Sequence, residues 1–101
     1  MSLKKTYSEK KPECKVTFKL ESDKINGAAQ VNLAGEFNSW NEHDTPMKQL
    51  KNGDFSVTLT LEKGKEYQYK YLINSKEWIN DPEADKYLPN AFQGDNSVVV
   101  V

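Results

Sequence analysis

The feature that most constrains this fold is a set of short runs in which apolar and polar residues alternate. One side of each run is apolar: Cys14, Val16, Phe18 and Leu20 in the first; Phe55, Val57, Leu59 and Leu61 in a later one; Tyr67, Tyr69, Tyr71 and Ile73 in the next. A period of two is that of a strand with one buried face. The chain is therefore predicted to form half-buried β-strands, and no stretch of useful length has a helical period.

Turn residues separate these runs. Residues 23–27 supply a turn, after which apolar and polar residues alternate from Ala29 to Gly35. A polar loop at Asn41–Pro46 precedes a short predicted strand, Met47–Leu50. Asn52-Gly53 then gives the strongest short-range hairpin signal in the chain, so this strand should pair with the one that begins at Phe55.

The C-terminal third predicts a second hairpin and a final strand. Asn74-Ser75-Lys76 turns the chain into a strand at Glu77–Asn80. An ordered loop of about fifteen residues is expected after Asp81-Pro82. Ser97–Val101 contains four consecutive valines, which predict a strand covered on both faces. About seven short strands indicate an antiparallel β-sandwich, and the missing Cys-Trp-Cys pattern argues against an antibody-type domain.

Length and composition indicate one domain with a shallow site. The chain has 101 residues, enough for a single core but too few to enclose a deep cleft as well. Residues 1–12 are lysine-rich without apolar periodicity and are expected to be a disordered N-terminal arm. The domain proper is expected to span residues 13–101.

Charge and cysteine content exclude several classes of partner. The net charge is -1, and all fourteen basic residues are lysine, so the arginines that usually read phosphates and base edges are missing. No nucleic-acid partner is expected. The single cysteine, Cys14, is interpreted as a buried core thiol. No apolar segment resembles a signal peptide or a membrane span, so a cytoplasmic protein without a membrane partner is expected.

Four motifs occur in a characteristic order: Gly35-Glu36-Phe37-Asn38-Ser39-Trp40, Tyr67-Gln68-Tyr69-Lys70-Tyr71, Trp78 and Asp81-Pro82. Through them the chain resembles carbohydrate-binding module family 48 over roughly Cys14 to Val101. That family includes the glycogen-binding domain of the β subunit of AMP-activated protein kinase. It also includes the domain that precedes the barrel in glycoside hydrolase family 13 branching and debranching enzymes. The resemblance implies an immunoglobulin-like, early-set β-sandwich.

The resemblance also implies a surface site for α-1,4-glucan, although not all members of the family bind sugar. Trp40, Lys70 and Trp78 match the family's binding residues by position, and Asn96 matches the asparagine before the last strand. Phe92 stands where kinase-subunit members have a leucine. Gly94 replaces a nearby threonine, and the loop is one residue longer.

The two tryptophans suit a sugar because a flat indole can cover the C–H face of glucose while leaving the hydroxyls free. The alternative for Trp40 is an indole folded back over the core edge, but Phe37 is available as the core anchor. Trp78 alternates with Ile79, and Ile79 is the more natural core residue.

The remaining candidates have equally ordinary alternatives. Lys70 can donate hydrogen bonds to sugar oxygens, or it can be a solvated strand lysine. Asn96 can donate and accept at once, or it can simply form a turn after Gly94. Phe92 can act as an apolar wedge against the glucan, or it can pin its loop to the sandwich.

Catalytic and metal chemistry find little support. His43-Asp44 lies in a polar turn with no nucleophile assigned to it. Asp81, Glu83 and Asp85 have the alternating spacing of some calcium loops, but Pro82 and the lack of a following glycine break that pattern. No cofactor is expected.

The predicted function is therefore non-catalytic binding of an α-1,4-glucan, such as glycogen, starch or a maltooligosaccharide. A shallow site with two indoles indicates micromolar to millimolar affinity. The alternative is a sugar-silent scaffold or protein-interaction domain like those of glycoside hydrolase family 13. Its protein partner would be of the kinase type or a glucan-metabolising enzyme. An enzyme is disfavoured because no carboxylate pair can be placed across a cleft.

Overall fold

The structure, a computed structural model, describes residues 3–25, 28–90 and 94–101. Within these residues the chain forms nine strands and two short 3-10 turns. The strands are β1 (Leu3–Tyr7), β2 (Glu13–Leu20), β3 (Val31–Gly35), β4 (Lys48–Gln49), β5 (Phe55–Glu62), β6 (Glu66–Ile73), β7 (Glu77–Ile79), β8 (Lys86–Pro89) and β9 (Asp95–Val100). None of the described residues forms a helix long and apolar enough to cross a membrane.

The strands make two antiparallel sheets, as the alternating runs predicted. Sheet 1 has the order β1-β2-β5-β4, and sheet 2 has the order β3-β6-β9-β8, with β7 also pairing with β6. β7 and β9 share one edge of β6: β9 pairs with its first half and β7 with its last residues. This places β7, the second strand of the second hairpin, directly beside the beginning of β9.

The core lies between the two sheets and contains the residues that the sequence assigned to it. The four apolar residues of β2 are fully buried, Cys14 among them. Phe18 packs edge-on against Tyr69, with ring centroids 5.1 Å apart. Aromatic pairs of this geometry add to the stabilisation from burial.

Both predicted hairpins form. At the first, Gly53 has a φ of 95°, and the Leu50 N–H donates to the Asp54 carbonyl at 2.7 Å. At the second, Asn74 and Ser75 have φ values of 51° and 58°, as a type I′ turn requires. This turn fixes the register of β7 and therefore the face on which Trp78 lies.

The chain changes sheets just before β4. The Leu33 N–H donates to the Thr45 carbonyl at 2.9 Å, and the Met47 N–H donates to the Val31 carbonyl at 2.8 Å. These bonds attach residues 45–47 to the free edge of β3 in sheet 2, and β4 then joins sheet 1. The predicted strand Met47–Leu50 is accordingly only two residues long within sheet 1.

The predicted disordered arm contains a strand. β1 pairs antiparallel with β2, with Leu3 opposite Phe18. Only Leu3 of this strand is buried, so the arm shows no apolar alternation. Backbone N–H and C=O groups can pair with an open sheet edge whatever the side chains are. A strand held in this way need not show apolar periodicity, so the sequence pattern did not predict β1.

The predicted loop after Asp81-Pro82 also contains a strand. β8 pairs with β9, with Leu88 opposite Asn96 and Pro89 opposite Asp95. A proline is tolerated here because β8 is an edge strand. β1 and β8 account for nine strands where about seven were predicted.

The final strand was predicted to be covered on both faces, and this holds for some of its valines but not for all. Val99 belongs to the main core, and Val98 is fully buried on the opposite face of sheet 2, whereas Val100 is 37% exposed. Ala34 and Leu72 are buried on that same outer face. Ala34, Leu72 and Val98 are thus buried apolar residues of the outer face of sheet 2.

Candidate functional site

The turn that carries Trp40 is held by the side chain of Asn38. Its Oδ1 accepts the Gly35 N–H at 3.0 Å, and its Nδ2 donates to the Leu33 carbonyl and to Thr45 Oγ1, both at 3.0 Å. The asparagine thus ties the end of β3 to both ends of the loop that follows. A sequence cannot show this, although asparagine in a turn is a general signal for such side-chain bonds.

Trp40 has an unusual backbone conformation. Ser39 and Trp40 have φ values of 56° and 58°, and the Trp40 N–H donates to the Gly35 carbonyl at 2.8 Å. A left-handed conformation costs a residue other than glycine roughly 1–2 kcal/mol. The turn maintains this conformation while leaving the Trp40 side chain 37% exposed.

Phe37 is the core anchor of the motif, as predicted, and Gly35 also serves the fold. The Phe37 ring packs against the core, with its centroid 5.7 Å from that of Phe18. A Cβ on Gly35 would lie 2.6 Å from the Gln68 carbonyl oxygen and 2.9 Å from the Phe37 ring. Gly35 is therefore needed for space, and the tryptophan at the end of the motif is left outside the core.

Trp78 lies on the outer face of sheet 2. It stands opposite Leu72 in the β6–β7 pairing and is 41% exposed, whereas its neighbour Ile79 packs against the core. The predicted division between these two residues is confirmed. Because the backbone here is a regular strand, the indole is held without strain.

Register brings Lys70 and Trp78 to one face. Residues two apart on a strand share a face, and so do directly opposed residues of antiparallel neighbours. Lys70 is two residues from Leu72, which stands opposite Trp78 on one side and Asn32 on the other. Lys70 has no ion pair within the described part of the chain.

The loop that carries Trp40 reaches this same row. Asn32 is buried on the outer face opposite Leu72, and its Nδ2 donates to the Glu42 carbonyl. Since Glu42 is only two residues from Trp40, the loop lies against the row that contains Leu72 and Trp78. Sequence analysis gave no indication of this contact, because it joins residues ten apart through a buried side chain.

Asn96 belongs to a chain of three side-chain amides. Its Nδ2 donates to Gln68 Oε1 at 3.0 Å, and its Oδ1 accepts from Asn90 Nδ2 at 3.1 Å. Gln68 is on β6, two residues before Lys70, so the amides lie on the same outer face of sheet 2. Phe92, the remaining predicted site residue, lies outside the described residues.

The carboxylate of Asp81 is used inside the domain. It is fully buried, and its Oδ2 accepts from the Tyr69 hydroxyl at 2.7 Å and from the Tyr71 hydroxyl at 3.2 Å. Burial, followed by the nearby negative charge of Asp81, raises the pKa of Tyr71 well above its ordinary value. Burial is also the largest cause of the raised pKa of Tyr69.

This arrangement does not bring the three carboxylates considered for calcium together. Asp85 instead pairs with Lys5 at 2.6 Å and accepts the Val100 N–H at 2.7 Å. Among the residues that the structure describes, no group of three or more His, Cys, Asp and Glu side chains could hold a metal ion. His43 is exposed in the loop after Trp40.

Comparison with known proteins agrees with this architecture. A family model described as the glycogen recognition site of AMP-activated protein kinase matches residues 15–100. An amylopullulanase of Thermoanaerobacter thermohydrosulfuricus is 31% identical over 93 residues, which is 85% of this chain and 6% of that protein. An amylopullulanase of Thermoanaerobacterium thermosulfurigenes is 36% identical over 73 residues, 70% of this chain and 4% of that protein.

A chloroplastic protein of Arabidopsis thaliana, PTST homolog 2, is 39% identical over 57 residues, 56% of this chain and 10% of that protein. The chain thus spans a tenth or less of the length of these relatives. The family match covers all four motifs and extends from β2 to the end of β9, so that β1 lies outside it. The chain belongs to the family of non-catalytic carbohydrate-binding modules that includes the glycogen recognition site of AMP-activated protein kinase.

Proposed function

We propose that the chain binds α-1,4-glucan on the outer face of sheet 2, with Trp40 and Trp78 as stacking platforms and Lys70 and Asn96 as hydrogen-bonding partners. The observation that carries the proposal is the register. It puts Trp78, Lys70 and Asn96 on one face, and the Trp40 loop contacts that face through Asn32.

The surface has the two chemical properties that a glucan requires. Its indoles are each more than one third exposed, so they can cover the C–H face of a glucose ring. On the outer face of sheet 2, the Lys70 ammonium and the Asn96 amide offer donors to sugar oxygens. The buried Leu72 stands directly opposite Trp78, so this indole has an apolar neighbour on the same face.

The similar proteins support this choice of ligand. Two of them are named amylopullulanase, a name that includes the α-glucan pullulan. In a longer protein, a module of this kind would hold a neighbouring catalytic domain, or a protein partner, close to a polysaccharide. Weak binding suits that task, because several modules or repeated sugar sites together raise the apparent affinity.

Titration with maltoheptaose, followed by tryptophan fluorescence and by calorimetry, tests the proposal. Saturable binding in the micromolar to millimolar range is expected, and Trp40→Ala and Trp78→Ala should each weaken it. Tyr7→Ala is the matched control, since Tyr7 is an aromatic residue 50% exposed on sheet 1. This variant should bind like the wild type.

The absence of saturable binding by the folded wild-type domain, up to several millimolar sugar, would refute the proposal. The same result would favour the sugar-silent alternative. Equal losses of affinity in the Trp40, Trp78 and Tyr7 variants would show that the outer face of sheet 2 is not the specific binding surface.

A further inference from the structure

The chain of amides on sheet 2 fixes the orientation of the Asn96 side chain. Asn96 uses its Oδ1 to accept from Asn90 and one N–H to donate to Gln68 Oε1. An unrestrained asparagine amide can exchange its donor and acceptor ends by rotation. With both ends engaged, the second N–H of Asn96 has a single direction.

Gln68 is well placed to impose this orientation. It lies on β6 opposite Val98, which is fully buried and two residues after Asn96. Its own peptide N–H donates to Glu36 Oε1 at 2.7 Å, in the motif that leads to Trp40. The residue is therefore tied at its backbone to the Trp40 turn and at its side chain to Asn96.

We infer that Gln68 is a positioning residue for glucan binding: it acts through Asn96 by presenting the remaining Asn96 N–H to a sugar hydroxyl oxygen. This inference rests on the proposed function of the surface. The amide chain occupies one N–H of Asn96 and leaves its second N–H as a donor, and the ammonium of Lys70 on the same face offers donors alone. The ligand group recognised at this end is therefore a hydroxyl oxygen acting as acceptor.

The prediction for Gln68→Leu is weaker binding without loss of the fold. The change removes the acceptor from the Asn96 bond but keeps the backbone bond to Glu36. Loss of one neutral hydrogen bond corresponds to about two- to tenfold weaker maltoheptaose binding. Gln49→Leu is the matched control, because Gln49 is an exposed glutamine on β4 of sheet 1. Its affinity should equal that of the wild type.

A double-mutant cycle separates positioning from an independent contact. If Gln68 acts through Asn96, then Gln68→Leu should weaken binding in the wild type but have no effect in an Asn96→Ala background. Thermal unfolding of every variant tests whether each is folded at the titration temperature. The inference would be overturned if Gln68→Leu bound as tightly as the wild type, or if the losses in the double variant were additive. In either case, binding by the wild type would leave the proposed function intact. Failure of the wild type itself to bind would instead refute both.

Discussion

Replacing Trp78 by alanine removes the proposed stacking platform whose contribution to binding can be estimated most directly. A tryptophan side chain has roughly 250 Å² of accessible surface, so an indole that is 41% exposed offers about 100 Å² to a ligand. At about 25 cal/mol per Å², covering all of it contributes about 2.5 kcal/mol, and covering one face contributes about half of that. Trp78→Ala should therefore weaken maltoheptaose binding roughly ten- to seventyfold.

Calorimetric titration measures this loss, and thermal unfolding of the same samples tests whether the fold is preserved. Trp78 is better suited to this experiment than Trp40, because β7 is a regular strand and the substitution leaves no backbone strain to release. Trp78→Phe keeps an aromatic face and should lose only part of the affinity. If the alanine variant binds within twofold of a wild type that does bind, the stacking argument for this residue is refuted.

Two further predictions concern the supports of the site. Asn38→Ala removes three hydrogen bonds at the Trp40 turn and should lower the free energy of unfolding by about 1–3 kcal/mol. It should also weaken maltoheptaose binding. Unchanged stability in urea denaturation would contradict this prediction. Because the folded-state pKa values of Tyr69 and Tyr71 are raised above the ordinary value of 10.0, their stabilising contribution is complete below pH 10 and is lost as pH rises above it. Each tyrosine should contribute about 1.4 kcal/mol of lost stability per pH unit, so Tyr71→Phe should make the alkaline decline in urea-measured stability about half as steep. An unchanged slope would show that Tyr71 does not contribute to the alkaline loss of stability.

The sequence was most informative where a strand has one buried face. β2 and the two hairpins follow the predicted alternation because each apolar side chain must reach the same core. The division of labour between Trp78 and Ile79 follows from the same rule, since neighbours on a strand face opposite ways. Family motifs then added the candidate ligand, which no periodicity could have supplied.

The sequence was least informative at the sheet edges and in side-chain hydrogen bonding. β1 and β8 are held by main-chain pairing and carry few buried residues, so their sequences look like those of irregular segments. The bond between Gln68 and Asn96 joins residues 28 apart, and either residue alone is an ordinary polar surface residue. Nothing local in the sequence indicates that they meet.

The all-β class and the core-facing residues could therefore be predicted without a structure, because alternation and turn chemistry are local properties of the chain. Which outward-facing residues become neighbours could be seen only in the folded domain. The surface of sheet 2 depends on strand register and on the buried bond from Asn32 to the Trp40 loop. Strand register and this buried bond both depend on packing and on pairing between residues far apart in the chain, and neither leaves a local pattern in the sequence.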